Sequence, residues 1–370
     1  MARDDERWMT RALVLAGLSA GCTWPNPGVG CVLVRDGVWL GDGRHQQCGR
    51  EHAEILALQD ARSRGHDLQG ATAYVTLAPC TRTGRTGPCV QALIQARVAR
   101  VVAALPDPNQ DDAQLLLTTQ GIRYEVGVLG AAAAHVHGGF LSRVRAGRPR
   151  VTGKWAMTLD GFLAARGGAS AWISSPQALA LSRRRRRAFD AILIGAGTAR
   201  RDDPQLLSSR PRRHGDEQGP LRVVVSRGAE LRGDGRLVAG LGAAPLLVIH
   251  GTEVPESRRG ELRRLGVQVR SLADCHDPAQ VLTLLGSLGI NDLLVEGGSR
   301  VHASLLKAGL YDRLELYLGL KSLGGGLPVA EGAGVASPTL GEAWQLEEPA
   351  RTLGETLCLR LARTTARAAS

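Results

Sequence analysis

Two neighbouring stretches decide the fold of the N-terminal half: HAEILALQDA at residues 52–61 and AYVTLAPC at residues 73–80. The apolar spacing of the first predicts a helix, and the apolar run Ala73 to Leu77 of the second predicts a short strand, which Pro79 and Cys80 follow. Cys89 follows Pro88 where the next predicted helix begins, and proline suits such a start. This alternation of helix and strand favours an α/β layer structure.

The pattern continues on both sides of these stretches. Helical periodicity covers Trp8 to Leu18, and two strands, Val29 to Val34 and Val38 to Leu40, form a predicted hairpin. A further strand is predicted from Val101 to Leu105, after a helix from Val90 to Ala96.

The chain is long enough for more than one domain, because 370 residues exceed the usual size of about 150 for a single core. It becomes basic and polar over residues 142–150, where Gly147 and Pro149 act as breakers. We therefore expect one domain over residues 1–146 and a second, also α/β, over residues 147–370. The strands predicted in the second domain are Thr152 to Met157, Ala191 to Ile194, Arg222 to Val225, Pro245 to Ile249 and Asp292 to Val295.

The composition is that of an ordinary globular protein, with 44% hydrophobic and 22% charged residues. We find no signal peptide and no apolar run of membrane-spanning length, and seven cysteines are too few for a disulfide framework, so we expect a cytoplasmic protein. The net charge of +11 comes from arginines spread along the whole chain. The densest run, Arg183 to Arg187, is interpreted mainly as a solvated helix face.

His52, Cys80 and Cys89 together form a candidate zinc site. Each residue alone has an ordinary structural explanation, but three nitrogen and sulfur ligands match a catalytic zinc, which keeps its fourth position for water. Helix starts favour the thiolate form that binds metal. Because His52 and Glu54 are two residues apart, a regular helix directs them about 200° apart, so the metal is expected off the end of the first turn and not along its side.

Glu54 is not needed as a ligand and is the candidate catalytic residue. Zinc lowers the pKa of bound water towards 7, and Glu54 can take its proton and pass it to a ring nitrogen and to departing ammonia. The pattern of His-x-Glu followed by Pro-Cys is typical of zinc nucleobase deaminases. These residues therefore predict hydrolytic deamination of a heterocycle.

With Cys89 nine positions after Cys80, the sequence resembles the RibD family of bifunctional riboflavin-biosynthesis deaminase/reductases. The resemblance includes Pro25 to Pro27, and Gly43 with His45 before the helix that begins near His52. It implies a cytidine-deaminase-like domain followed by a dihydrofolate-reductase-like domain. The substrate-binding residues that it implies in the first domain are Asn26, His45, Arg82 and Arg85, the two arginines for a ribose phosphate.

The sequence departs from the family near the zinc motif. Ala78 stands where the family usually has Glu, and Thr81 and Arg82 stand where it usually has Ser and His. Neither change removes a proposed zinc ligand or Glu54. Two solvated loop arginines remain an alternative explanation for Arg82 and Arg85.

In the second half, glycine-rich turns follow two predicted strands, at Gly195 to Thr198 and at Glu296 to Ser299. Such turns allow backbone N–H groups to approach a phosphate, although ordinary tight turns produce the same pattern. The family resemblance continues here and implies NADPH as cofactor together with zinc. The implied NADPH-binding residues are Ala156, Trp172, Thr198, Asp202, Gly297 and Gly298.

The same comparison implies that the substrate of the second reaction is held by Ser170, Arg186, Arg210 and Glu296. Ser226 and Arg227 follow a strand where the family commonly has Asp and Ser, and an arginine there suits an anionic cofactor. Hydride transfer to a ring-opened ribosylamine depends on placing cofactor and substrate face to face. We name no acid or base for this reaction.

The leading interpretation is a two-step enzyme acting on a phosphorylated pyrimidine, with no nucleic-acid or membrane partner and a homo-oligomeric state. One alternative is a zinc deaminase acting on nucleic acid, suggested by the positive charge; a 4% aromatic content leaves few rings for base stacking. Another is a reductase whose deaminase site is impaired at Ala78.

Overall fold

The computed structural model describes residues 2–82, 87–110, 112–171, 173–209 and 219–364. It divides into two compact units, Met1–Gly147 and Arg148–Ser370. No helix in the described ranges is long and apolar enough to cross a membrane.

The first unit alternates helices with strands, as its sequence predicts. In chain order its elements are α1 (Ala2–Gly17), β1 (Gly30–Arg35), β2 (Val38–Arg44), α2 (Ala53–Ser63), β3 (Thr72–Val75), α3 (Cys89–Gln95), β4 (Arg100–Ala103), α4 (Ala113–Thr118), β5 (Arg123–Val126), α5 (Gly130–Val136) and α6 (Gly138–Ala146).

One five-stranded sheet in the order β2-β1-β3-β4-β5 organises this unit. The predicted hairpin is observed as the antiparallel pair β1 and β2, and β1 also pairs antiparallel with β3. From β3 to β5 the strands are parallel. The carboxyl ends of β3 and β4 therefore lie at the same edge of the sheet.

Helices cover both faces of this sheet. Along β1, Cys31 and Leu33 pack into a cluster with α2 and α3, whereas Val32 and Val34 pack into a second cluster with α1. Alternate residues of a strand point to opposite faces, so β1 is apolar from Cys31 to Val34 because both faces are buried there. Helix α1 begins six residues before the predicted start at Trp8, with Asp4 and Asp5 in its first turn, where acidic side chains are favourable.

The second unit is a larger α/β body whose C-terminal part adds antiparallel strands. Its elements are β6 (Arg150–Thr158), β7 (Phe162–Ala164), α7 (Pro176–Arg185), β8 (Ala191–Gly195), α8 (Ala196–Asp202), β9 (Leu221–Val225), α9 (Arg236–Ala239), β10 (Leu246–Gly251), α10 (Glu256–Arg264), β11 (Gln268–Leu272), α11 (Pro278–Ser287), β12 (Asp292–Val295), α12 (Ser299–Lys307), β13 (Arg313–Gly319), β14 (Leu327–Pro328), β15 (Trp344–Leu346), β16 (Arg351–Leu353) and β17 (Thr356–Arg363).

The main sheet of this unit has the order β11-β10-β9-β8-β12-β6-β13-β17-β15, with β16 paired to β17. The first seven strands in this order, from β11 at the edge to β13, are parallel to one another. Strand β17 runs antiparallel to β13, β15 and β16. The sequence analysis predicted the five buried parallel strands β6, β8, β9, β10 and β12 and did not predict β7, β11 or β13 to β17.

The basic run in α7 corrects one expectation. Arg183 and Arg184 are exposed, as a solvated helix face requires. Arg185 instead donates from Nε to both carboxylate oxygens of Glu315 at 2.8 Å, and that carboxylate is buried. The partner is 130 residues away in the chain, so no local pattern indicates the pair.

A close approach between α1 and β1 makes Gly30 sensitive to substitution. A Cβ atom at Gly30 would lie 2.1 Å from the carbonyl oxygen of Ala12, whereas a Cβ at Gly17, the last residue of α1, would meet nothing within 4 Å. We expect Gly30→Ala to lower the free energy of unfolding by at least about 2 kcal/mol, because the backbone of α1 must move.

Urea unfolding measured by circular dichroism tests this expectation, with Gly17→Ala as the matched control. The control should unfold within about 0.5 kcal/mol of the unmodified chain. Equal unfolding curves for the two variants would contradict the packing described for α1.

Candidate metal centre and cofactor cavity

The three predicted metal ligands are carried by the ends of three elements of the first unit. His52 is the residue that precedes α2, with extended backbone angles. Cys80 lies in the loop after β3, and Cys89 is the first residue of α3, after Pro88. The site thus lies off the N-terminal end of α2, as the spacing of His52 and Glu54 predicts.

The ligand atoms have the separations that zinc requires. His52 Nδ1 lies 3.5 Å from Cys80 Sγ and 3.3 Å from Cys89 Sγ, and the three ligand atoms all lie within 4.8 Å of one another. Tetrahedral zinc with Zn–S of about 2.3 Å and Zn–N of about 2.0 Å places its nitrogen and sulfur ligands about 3.5 Å apart. The donor set and its spacing therefore fit a zinc ion.

The electrostatics of the pair of cysteines favour a thiolate at Cys80. A hydrogen bond with the thiol of Cys89 lowers the pKa of Cys80 to about 4, against the effect of burial, and His52 adds to the lowering. The backbone N–H of Cys89 also donates to Cys80 Sγ at 3.3 Å. The same contact raises the pKa of Cys89. Thiolate is the form that binds metal.

Glu54 is buried at the base of this centre, with 3% of its surface exposed. Burial, followed by the charge of Cys80, raises the pKa of Glu54 to about 7. A carboxyl group with a pKa near neutral pH can both accept and return a proton. This is the property that the predicted catalytic role needs.

Asn26 and His45 lie beside the metal ligands. The ring of His45 packs edge-on against that of His52, with centroids 5.2 Å apart. His45 Nδ1 is 3.0 Å from the carbonyl oxygen of Glu51, and its Nε2 is 3.3 Å from Asn26 Nδ2. Burial lowers the pKa of His45, so the ring is neutral, donates from Nδ1 and accepts from Asn26.

The loop after Cys80 carries the predicted phosphate-binding arginines. Arg82 is exposed, and Arg85 lies outside the described residues. Ala78, at the position of the family's usual Glu, is buried and its N–H donates to the carbonyl oxygen of Leu105 at 2.8 Å. The backbone links the ends of β3 and β4 at this point without a side-chain contribution.

The sequence analysis did not predict two residues near this loop, Asp107 and Gln110. They follow β4 at the edge of the sheet where Cys80 follows β3. Burial raises the pKa of Asp107, against hydrogen bonds from Asn109 and Gln110. The signal that points to them is a carboxylate just after a buried strand that is parallel and adjacent to β3.

In the second unit, a cavity of about 760 Å³ opens at the carboxyl ends of β8, β9 and β12. Thr198 and Gly298, both predicted cofactor residues, line it, and the N–H of Gly298 donates to Thr198 Oγ1 at 3.0 Å. A Cβ atom at Gly298 would lie 3.0 Å from that oxygen. The glycine therefore keeps the two turns close together.

The other predicted cofactor residues that the structure describes lie outside this cavity. Of those described, Ala156, Asp202 and Gly297 do not line the cavity: Ala156 is on β6, Asp202 ends α8, and Gly297 is buried next to Gly298. Trp172 lies outside the described residues.

Arginines dominate the charged lining of the cavity. The cavity is lined by four arginines, Arg200, Arg201, Arg227 and Arg300. Two carboxylates, those of Glu230 and Glu331, also line it. Ligand cavities in proteins span about 300–1,000 Å³. The volume, the glycine turns and the positive charge fit NADPH, which is a polyanion. The sequence analysis noted Arg227 and did not predict the other three arginines.

The predicted substrate residues Arg186 and Glu296 form a bidentate ion pair. Arg186 donates from Nε and Nη2 to the two oxygens of Glu296, both at 2.7 Å, and from Nη1 to the carbonyl oxygen of Leu207 at 3.1 Å. Burial opposes ionisation of Glu296, but the charges of Arg186 and then Lys154 outweigh it and lower its pKa to about 2. Glu296 is thus a fixed anion.

Of the remaining predicted substrate residues, Ser170 is exposed after β7, and Arg210 lies outside the described residues.

Two family models match the chain. Residues 2–105 match the cytidine and deoxycytidylate deaminase zinc-binding region, and residues 149–359 match the RibD C-terminal domain. The chain belongs to the RibD family. The riboflavin biosynthesis protein RibD of Aquifex aeolicus is 37% identical, covering 88% of this chain and 90% of that protein. The riboflavin biosynthesis protein RibD of Escherichia coli is 38% identical, covering 87% of this chain and 89% of that protein.

Solved structures of RibD-family proteins have the same fold. A diaminohydroxyphosphoribosylaminopyrimidine deaminase/5-amino-6-(5-phosphoribosylamino)uracil reductase from Thermotoga maritima has a TM-score of 0.85 at 30% identity, covering 98% of this chain and 99% of its own. RibD from Acinetobacter baumannii has a TM-score of 0.86 at 31% identity, covering 99% and 100%. The expected fold class, the pairing of a deaminase with a reductase, and zinc and NADPH as cofactors are confirmed.

The metal centre leads to a prediction about zinc content. We expect Cys80→Ser and Cys89→Ser to contain less than about a tenth of the zinc of the unmodified chain, because each loses a thiolate ligand. Cys48→Ser, which changes an exposed cysteine outside the ligand set, should keep one zinc per chain. Metal analysis by mass spectrometry checks this, and zinc retained by both ligand variants would refute the assigned centre.

Proposed function

We propose that the chain catalyses two consecutive steps of riboflavin biosynthesis. The first is hydrolytic deamination of 2,5-diamino-6-ribosylamino-4(3H)-pyrimidinone 5′-phosphate, and the second is NADPH-dependent reduction of the ribosyl group to ribityl. We assign the first to residues 1–146 and the second to residues 147–370. The observation that carries the proposal is the set His52, Cys80 and Cys89 around a buried Glu54, in one chain with an arginine-lined cavity.

In the deaminase site, the protein's part is to hold the metal and to move a proton. Zinc held by His52, Cys80 and Cys89 supplies Lewis acidity that lowers the pKa of water from about 16 towards 7. Glu54 accepts one proton of the attacking water and delivers it to the ring nitrogen, then takes the second proton of that water and delivers it to the departing amine. The carbon–nitrogen bond breaks, a carbonyl replaces it, and ammonia leaves.

In the reductase site, we propose that positioning dominates over acid–base catalysis. When bound, NADPH would supply the hydride that reduces C1 of the ring-opened ribosylamine, and the adjacent nitrogen would take a proton from water. The fixed anion of Glu296, held by Arg186, offers hydrogen-bond acceptors to sugar hydroxyls, while Thr198 and Gly298 orient the cofactor. Two further groups of residues carry predicted contacts in this half. We propose that NADPH also contacts Ala156, Trp172, Asp202 and Gly297, and that the substrate also contacts Ser170 and Arg210.

We also propose that the chain forms a homo-oligomer. Light scattering after gel filtration tests that part of the proposal, and a monomeric mass would contradict it. We also place the enzyme in the cytoplasm.

The deaminase step is tested by Glu54→Gln in the full-length chain. We expect ammonia release to fall by about 100-fold or more, because the amide cannot accept the proton, while zinc content stays at one per chain. Reduction of the already deaminated uracil derivative should be unchanged. A coupled ammonia assay and the loss of NADPH absorbance measure the two steps separately.

The same assay separates the alternatives. If the unmodified chain oxidises NADPH with the deaminated substrate but releases no ammonia from the diamino compound, the impaired deaminase is correct and the two-step proposal fails. Failure of both steps with zinc present would refute the proposal as a whole.

We further propose that Arg227 selects NADPH over NADH. It lines the cavity at the end of β9, and arginine accommodates the 2′-phosphate that distinguishes NADPH. Its Nε donates to Glu253 at 2.8 Å, which aims the side chain. We expect Arg227→Ser to weaken NADPH binding by about three- to tenfold and to leave NADH binding unchanged.

Fluorescence titration with each cofactor measures this selectivity. Arg232→Ser, which removes an exposed arginine that pairs with Asp234 and does not line the large cavity, is the control and should bind both cofactors normally. Equal weakening of NADPH and NADH by Arg227→Ser would show that the arginine does not read the 2′-phosphate.

A further inference from the structure

The loop that follows Cys80 is held at its start by two side chains from another segment, Gln110 and Asp112, and Gln110 alone of the two bonds the described part of the loop backbone. Gln110 Oε1 accepts hydrogen bonds from the backbone N–H of Thr81 at 2.7 Å and from that of Arg82 at 3.2 Å. The hydroxyl of Thr81 lies 3.0 Å from the same oxygen and 2.7 Å from Asp112 Oδ1, to which it donates. Gln110 thus fixes the backbone directly before and at Arg82.

The other end of the amide is fixed in turn. Gln110 Nε2 donates to Asp107 Oδ2 at 2.9 Å, and the N–H of Gln110 donates to the carbonyl oxygen of Asp107 at 3.1 Å. Asp107 Oδ1 accepts from the N–H of Asn109 at 2.9 Å, which tightens the turn. The amide therefore serves as acceptor on the loop side and as donor on the Asp107 side. A carboxylate in its place would lose the donor and face a like charge.

This arrangement concerns the positions where the chain departs from its family. Ala78 has no side-chain acceptor to offer the loop, and Thr81 and Arg82 replace the family's usual Ser and His. The anchor comes instead from the turn after β4, the strand that is parallel and adjacent to β3. Both segments leave the sheet at the same edge, so Gln110 can reach the loop.

We propose that Gln110 is the positioning residue that orients Arg82 towards the 5′-phosphate of the deaminase substrate. The inference rests on the proposed function, which gives Arg82 its phosphate. A guanidinium recognises a phosphate through paired hydrogen bonds of fixed geometry, so binding depends on the direction in which the side chain leaves the backbone. Gln110 does not touch the reacting atoms, and its effect therefore falls on substrate binding.

The test compares two substrates on the zinc-loaded, full-length chain: the phosphorylated diaminopyrimidinone and its dephosphorylated nucleoside. For Gln110→Ala we expect KM for the phosphorylated substrate to rise by about five- to tenfold, with kcat within about twofold. The kinetics of the nucleoside should be unchanged, because it has no phosphate. Gln110→Glu has the same size and should show the same KM effect.

Two controls separate positioning from a structural defect. Gln120→Ala, which changes an exposed glutamine, should behave as the unmodified chain with both substrates. Arg82→Ala should raise KM for the phosphorylated substrate, and adding Gln110→Ala to it should change KM by less than about twofold, because the two residues act through one contact.

Three results would overturn the inference: additive effects in the double variant, equal losses with the phosphorylated substrate and the nucleoside, or loss of zinc from Gln110→Glu. Absence of ammonia release from the unmodified chain would instead overturn the proposed function and this inference with it.

Discussion

The close packing of β2 against α2 is the contact on which the metal centre depends. A Cβ atom at Gly43 would lie 2.4 Å from the carbonyl oxygen of Ala53, the residue directly after His52. A Cβ at Gly41 would likewise lie 2.6 Å from the backbone nitrogen of Ala61. The two glycines therefore allow α2 to lie on the hairpin, and this places His52 at the edge where β3 delivers Cys80.

In the second unit, glycines likewise allow a close approach of backbone segments at the functional site. Glycine turns at the ends of β8 and β12 approach closely enough for Gly298 to bond Thr198, and Glu296 follows β12 directly. A bidentate partner, Arg186, keeps that carboxylate ionised in a buried position, where an unpaired charge would be costly. Both units thus place their chemistry at the carboxyl ends of parallel strands, which is where open α/β sheets bind ligands.

What the sequence could predict is mostly local. The metal site could be predicted because residue type and spacing together form a distinctive motif in His52, Glu54, Cys80 and Cys89. Strands β1, β2 and β8 could be predicted because each contains a short apolar run bounded by turn residues. The distant pairs are different. The burial of the charged Glu315 side chain is explained by its ion pair with Arg185, which is distant in the chain. Nothing in the sequence distinguishes Gln110 from other loop glutamines until β3 and β4 are known to be neighbours. Arg222 is fully buried and bonds the carbonyl oxygens of Leu237 and Ala244, which no periodicity indicates.

The central claim is that the first unit holds a catalytic zinc with one position left for water. X-ray absorption at the zinc edge tests it directly on the zinc-loaded chain. The account predicts two sulfur ligands at about 2.3 Å and two lighter ligands, nitrogen and oxygen, at about 2.0 Å. A shell of four protein ligands, or one with fewer than two sulfurs, would contradict it.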